Sequence, residues 1–301
     1  MFTAYQKPLK NFEPEASTTP WGTLHRQFVD LPCGRVSYLR HGRGAPLLLV
    51  HGIPTSCRLW EPLLGALGEH FDCIVPDLLG MGRTTPQHGA DLASPGQVTM
   101  LTQLLDAFEI PSARAVFHDQ GGAHGLQFLN LHPERLDAVL FTDCVCFDNW
   151  LVPAVAAMMK LGRAGLMPFF ARTRALQTLL AHYSLPRTVT RGSFPIALQE
   201  DLFYALNQGG EALQHWTAYV TAQSPRWTQD TAQIAARWRK PAHVLWAAHD
   251  LYLPPSWGVQ LAQAFTATQC ELELLPFAGH FWQAEVPLSG AAAITRFFQK
   301  Q

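Results

Sequence analysis

The stretch that decides the fold is "VFHDQGG", residues 116–122. An apolar run, Ala115 to Phe117, leads in, and a helical pattern, Ala123 to Leu131, leads out. Asp119 therefore stands at a strand-to-helix corner. A corner that tight needs small neighbours, which Gly121 and Gly122 supply. It pushes one side chain into the open and leaves the Gln120 amide unpaired at a helix start, ready to hold an anion. Aspartate is also a common helix N-cap, and that plainer role is the alternative for Asp119.

Outward from this corner, strands and helices alternate. "PLLLV" (46–50), "CIVP" (73–76), "ARAVF" (113–117), "DAVLFTDCV" (137–145), "AHVLWAA" (242–248) and "CELELLP" (270–276) read as strands. Continuous apolar runs of this length suit strands covered on both faces. Residues 25–41 read as two further short strands around a Pro-Cys-Gly turn. Amphipathic helices lie between them, which predicts an α/β fold with a mainly parallel, doubly wound sheet. From 148 to 236 the alternation stops, and four helical patterns follow one another. The expected organisation is a core of residues 1–147 and 237–301 with an inserted helical cap, 148–236.

Composition narrows the function. The chain has 301 residues, 48% hydrophobic, with a formal net charge of −1. That balance gives no electrostatic footprint for nucleic acid or an acidic membrane surface. No apolar run reaches the ~20 residues that span a bilayer. The polar, proline-punctuated opening has no apolar leader, so a cytoplasmic protein is expected. The six cysteines are scattered, which fits reduced thiols better than a disulfide framework. Cys144 and Cys146 are expected on one face of a strand, and with no second pair they make no zinc site.

In open parallel sheets, functional groups collect at the carboxyl ends of strands. Asp119, Asp250 in "WAAHDLYLP" and His280 in "FAGHFWQ" fall there. Five motifs then carry a resemblance: "HGIPTSCRLW" (51–60), "PDLLGMGRT" (76–84), "HDQGG" (118–122), "AAHDLYLP" (247–254) and "AGHFWQ" (278–283). In this order the chain resembles the α/β-hydrolase fold, and within it the branch that holds haloalkane dehalogenases and epoxide hydrolases. The likeness spans nearly everything outside the helical interval.

The resemblance implies Asp119 as nucleophile, His280 as base and Asp250 as the acid that orients the imidazole, in the chain order usual for this fold. A carboxylate attacks an sp³ carbon and forms an alkyl ester, which a His-activated water then hydrolyses. Amides of Ile53 and Gln120 would form the oxyanion hole, where one donor is worth about 3 kcal/mol. Some members take the acid from the end of the preceding strand, so Asp143 is the alternative, with Asp148 further on. His51 and His118 flank the site and read as structural.

The leaving group stays open between two families. Dehalogenases usually hold halide with a tryptophan after the nucleophile and a partner, often asparagine, after "HG"; here those positions are Gln120 and Ile53. Cap tryptophans Trp150, Trp216 and Trp227 are possible substitutes. Epoxide hydrolases usually use two cap tyrosines, and this cap carries Tyr183, Tyr204 and Tyr219. The expected ligands are a small apolar organic substrate and water, preferably an epoxide, with a halogenated compound as the alternative. The chemistry calls for no metal or organic cofactor. Another hydrolysis or lyase reaction on this scaffold, and a hydrolase-fold protein that only binds ligand, are the remaining alternatives.

Overall fold

The computed structural model describes residues 14–150, 152–190 and 194–300; the first thirteen residues of the polar opening lie outside these. Nine strands form one sheet. They are β1 (Gln27–Leu31), β2 (Gly34–Gly42), β3 (Ala45–Val50), β4 (Phe71–Pro76), β5 (Thr85–Pro86), β6 (Ala113–Asp119), β7 (Leu136–Cys144), β8 (Ala242–Ala247) and β9 (Cys270–Leu275). The order across the sheet is β1-β2-β4-β3-β6-β7-β8-β9, with β5 beside β2. β2 runs antiparallel to β1, β4 and β5, and every pair from β4 through β9 is parallel.

The apolar runs explain this arrangement. Every residue of β8 and all but one of β6 is buried, so helices must cover both faces of the sheet. One helix group pairs Glu61–Leu67 with Pro287–Gln299; another joins Ser94–Ala107, Gln120–Leu131, Thr231–Arg237 and Ser256–Ala264. Between β7 and β8 the described residues form helices and turns with no strand: Pro153–Arg163, Met167–Arg172, Ala175–Leu179, Ile196–Leu202, Tyr204–Gln208, Gly210–Ala222 and Thr231–Arg237. The last of these packs on Gln120–Leu131 and Ser256–Ala264, beside the sheet.

Two boundaries differ from the sequence expectation. β6 runs on through Asp119, so the carboxylate is the strand's last residue. β7 stops at Cys144, because the backbone turns at Asp143 (φ 42°) and the Val145 amide bonds the Asp119 carbonyl. Cys146 thus lies past the strand, and the two cysteines do not share its face; both are buried free thiols.

A buried ionic clasp ties the helical segment to the sheet. Asp201, on Ile196–Leu202, takes both guanidinium bonds of Arg26 Nη2, at 2.8 and 2.7 Å, and a bond from Ser56. Arg26 also bonds Asp77, just past β4. Burial disfavours the Asp77 charge, but Arg26 and His51 outweigh it and hold the carboxyl below its usual range. Arg83 lies over the Tyr204 ring, 3.1 Å from its centroid. No helix of the described residues is long and apolar enough to cross a membrane.

Candidate active site

Asp119 closes β6 with φ 51° and ψ −125°, a conformation that costs a non-glycine residue on the order of 1–3 kcal/mol. Its surroundings hold it there. A Cβ on Gly52 would sit 2.2 Å from Asp119 Oδ2, and one on Gly122 would sit 2.4 Å from the Cys144 Cβ. Only glycine permits both approaches. The helix Gln120–Leu131 then starts directly under the carboxylate.

Asp119 Oδ2 accepts the Ile53 amide at 2.6 Å, and the Gln120 amide adds a second backbone hydrogen bond. Both expected oxyanion donors therefore meet this carboxylate. Burial works against its charge, but His280, His118 and the Gln120 amide outweigh it and keep the acid below its usual range.

His280 lies in the loop between β9 and the last helix, and Nε2 is 3.6 Å from Asp119 Oδ1. Nδ1 donates to Asp250 Oδ2 at 2.7 Å. Asp250 follows β8 in a tight turn, where Oδ1 accepts the amides of Tyr252 and Leu253 at 2.7 and 2.9 Å. Burial disfavours a charged imidazole, but Asp250 and Asp119 reverse this and raise His280 well above its ordinary value. Both shifts favour an imidazolium beside a carboxylate at rest.

The structure separates the two acid candidates. Asp143 is fully buried, its Oδ1 taking the Ala247 amide at 3.0 Å and its Oδ2 the Thr142 hydroxyl at 2.8 Å. Burial first, and then the Asp250 charge, push this carboxyl well above its usual range. Asp143 is a neighbour of the His280–Asp250 pair, and it is Asp250 that carries the short hydrogen bond. Asp148 is exposed. Polar atoms of Asp143, Asp250 and His280 lie within 4.8 Å of one another, a donor set that also suits a cation. Every carboxylate oxygen in the group, however, already accepts a hydrogen bond.

The flanking histidines are fully buried and hydrogen-bonded to backbone. His51 Nδ1 donates to the Gly52 carbonyl and Nε2 accepts the Leu78 amide. His118 Nε2 donates to the His280 carbonyl at 2.9 Å; burial, helped by the neighbouring His280, lowers its pKa to about 3.

A cavity opens on Asp119 and His280. Its wall includes Ile53 and Phe281 from the core and Val155, Met158, Leu180 and Leu185 from the helical segment. The free space is about 40 Å³, room for a few water-sized groups at ~10–15 Å³ each. The cap aromatics do not join the described cavity wall. Tyr183 is 57% exposed under Arg187, and Tyr204 lies under Arg83. The Tyr219 hydroxyl bonds His124 Nε2 at 3.0 Å, and His124 Nδ1 bonds Ser94 at 2.9 Å. Trp150 is half-buried, away from the lining. The Gln120 side-chain amide faces Gln223 at 3.3 Å, itself held by the Leu92 and Tyr219 carbonyls.

Three polar lining residues were missed: Thr188, and Tyr252 and Ser184, whose hydroxyls stand 3.0 Å apart. The signal for Tyr252 was its place two residues after Asp250, since an aspartate that caps its own turn aims the residue at i+2. Ser184 had none.

An elbow carboxylate, a histidine and a buried aspartate at the ends of parallel strands place the molecule in the α/β-hydrolase class. The chain belongs to the alpha/beta hydrolase fold family, whose model matches residues 45–287. It is 23% identical to haloalkane dehalogenase 2 of Mycobacterium tuberculosis over 291 residues, 96% of this chain and 99% of that one. A cis-3-alkyl-4-alkyloxetan-2-one decarboxylase of Shewanella oneidensis is 29% identical over 125 residues, 40% of this chain and 39% of that one. Among solved structures, the epoxide hydrolase CorEH superposes with a TM-score of 0.75 at 17% identity, over 92% of this chain and 99% of that one.

Proposed function

We propose that this protein is a hydrolase in which Asp119 attacks an sp³ carbon and forms an alkyl ester that a His280-activated water then hydrolyses. The observation that carries the reading is the geometry of one carboxylate. Asp119 Oδ2 rests on the Ile53 amide at 2.6 Å while Oδ1 stays 3.6 Å from His280. One oxygen is thus held by the donors that would later stabilise a tetrahedral oxyanion.

The electrostatics support a two-step course. In the resting state the Asp119 charge helps to keep His280 protonated. Alkylation removes that charge. The imidazole then loses one of its two anionic neighbours, and its pKa falls toward the range in which it accepts a proton from water. Asp250 keeps the ring oriented in both steps and stabilises its charged form. The helical segment, residues 148–236, serves as a cap that closes an apolar pocket over the reacting carbon.

Opening of a small apolar epoxide is the favoured reaction. The donors in the described cavity wall, beyond the nucleophile and base, are hydroxyls, and a departing alkoxide needs a proton. Hydrolysis of a carbon–halogen bond is the second reading. The relationship to a haloalkane dehalogenase over nearly the whole chain favours it. Incubating a His280→Asn variant with styrene oxide and with 1-bromobutane, then digesting it for mass spectrometry, tests both. A stable adduct on the Asp119 peptide is expected. No adduct and no turnover with either compound would leave the ligand-binding alternative.

A further inference from the structure

The cavity over Asp119 is almost wholly apolar, so each polar group in its described wall needs an account. Besides Asp119 and His280 there are three: Ser184, Thr188 and Tyr252. A hydroxyl has one proton to give. Thr188 has given its own, since Oγ1 donates to the Leu185 carbonyl at 2.6 Å. Ser184 and Tyr252 differ. Their oxygens are 3.0 Å apart, and the Tyr252 hydroxyl also lies 2.9 Å from the Ser184 carbonyl. The Tyr252 hydroxyl donates to that carbonyl and accepts from the Ser184 hydroxyl, so an alkoxide, a stronger acceptor than a carbonyl, can draw the phenol proton away while Ser184 goes on donating to the oxygen left behind. The Tyr252 ring sits 5.9 Å from that of His280, its backbone held by Asp250. Core and helical segment meet at this pair.

Resting on the ester mechanism proposed above, we infer that Tyr252 protonates the oxygen that leaves when Asp119 opens a strained C–O bond, with Ser184 positioning the phenol. The Asp119 carboxylate forms the new C–O ester bond as the ring C–O bond breaks, and the electron pair goes to the ring oxygen. That oxygen takes the Tyr252 proton and becomes a hydroxyl, leaving a phenolate. In the second step His280, whose resting proton has passed to solvent after alkylation and returns from it at the end of the cycle, takes one proton from the water that attacks the Asp119 ester carbonyl and gives it to the alkoxide oxygen expelled as the intermediate collapses. The water's other proton, lost as Asp119 becomes a carboxylate again, restores the phenol through solvent. The sum is epoxide plus water to diol.

Tyr252 suits this task. An alkoxide is far more basic than a phenolate, whose acid has a pKa of about 10, so the transfer runs downhill. Burial, only partly offset by the Ser184 hydrogen bond, raises the phenol above its ordinary value and keeps it protonated at neutral pH. A bromide, by contrast, leaves without a proton. The role therefore predicts a dependence on the leaving group that mere packing does not.

The test is the rate of ester formation on Asp119, by rapid quench and mass spectrometry, in a His280→Asn parent with and without Tyr252→Phe or Ser184→Ala. Styrene oxide and 1-bromobutane are the two reagents. Tyr252→Phe should slow the epoxide reaction by about 10²–10⁴-fold, the range for a lost general acid, and change the bromide reaction by less than about threefold. Ser184→Ala should act in the same direction more weakly. The parent's epoxide rate should also fall at high pH as the phenol ionises; this limb needs no variant, so it decides the matter if Tyr252→Phe fails to fold or the bromide does not react. Equal slowing of both reagents, an unslowed epoxide, a parent that takes bromide alone, or no high-pH limb overturns the role of Tyr252 while the nucleophile reading stands. No ester from either reagent in the parent overturns both.

Discussion

At the ends of β6 and β8 each polar side chain of the site is tied to backbone. Asp119 rests on the Ile53 amide, Asp250 on the amides of Tyr252 and Leu253, and His118 on the His280 carbonyl. The helical segment contributes differently. Val155, Met158, Leu180 and Leu185 reach the cavity through packing alone, and the segment's strongest polar tie to the core, Asp201 with Arg26, lies away from the described lining. On the proposed reading, reaction chemistry belongs mainly to loops fixed by hydrogen bonds, with Ser184 as the helical segment's contribution to it, and substrate shape to side chains fixed by contact. Changes in the first region should alter rate steeply, and changes in the second should alter stability or substrate choice.

The sharpest attempt to break this contrast is Asp119→Asn. It should lower turnover by on the order of 10⁴-fold or more, as loss of a nucleophile does elsewhere, and abolish the covalent adduct. Turnover within tenfold of the parent enzyme would remove Asp119 from the mechanism.

Next in size is the pair of acids. Asp250→Asn leaves the imidazole without its orienting charge and should cost about 10³–10⁴-fold in turnover. Asp143→Asn should cost less than tenfold, because that carboxyl makes no hydrogen bond to His280 and its environment already favours the neutral form. Steady-state kinetics on both variants gives the ranking, and the reverse order would return the acid to Asp143.

Tyr219→Phe probes the other region. The loss of the hydroxyl leaves a buried nitrogen of His124 without a partner, at about 1–3 kcal/mol of stability. Turnover should stay within about threefold, since Tyr219 is not in the described lining. A large fall in epoxide turnover with an unchanged unfolding midpoint would restore this residue as a proton donor and blur the division between regions.

The same division explains what was legible in the sequence. Asp119 was readable because a strand, a corner and Gly121-Gly122 leave a carboxylate one place to go. Asp250 was preferred to Asp143 only through the resemblance, since both stand at the ends of parallel strands and it is the hydrogen bond to His280 that separates them. Tyr204 and Tyr219 stood in amphipathic helices, whose period marks the buried face but not the partner; Arg83 and His124 took them. The end of β7 was misplaced by a positive φ at Asp143, which no apolar pattern records. Ser184 reaches the site through tertiary packing, and nothing near it in the chain announces that.

A different kind of effect is a change of stability with pH, and it tests the charge states assigned to the buried histidines. Burial lowers the pKa of His118 and of His124 to about 3, against about 6.5 in an unfolded chain. Between these values the unfolded state binds more protons, so stability rises with pH, by up to about 1.4 kcal/mol per pH unit for each histidine. His280 has the opposite sign. Its folded pKa is raised, so its contribution is complete below about pH 6.5 and is lost as pH climbs toward the folded value. Together they place the greatest stability near neutrality, with a loss on either side. Urea midpoints measured from pH 4 to 9 should trace that maximum. His124→Gln should flatten the acid limb by about one proton and leave the alkaline limb unchanged. A midpoint that kept rising to pH 9 would mean that His280 is neutral at rest, and the drop in its basicity on alkylation would have nothing to act on.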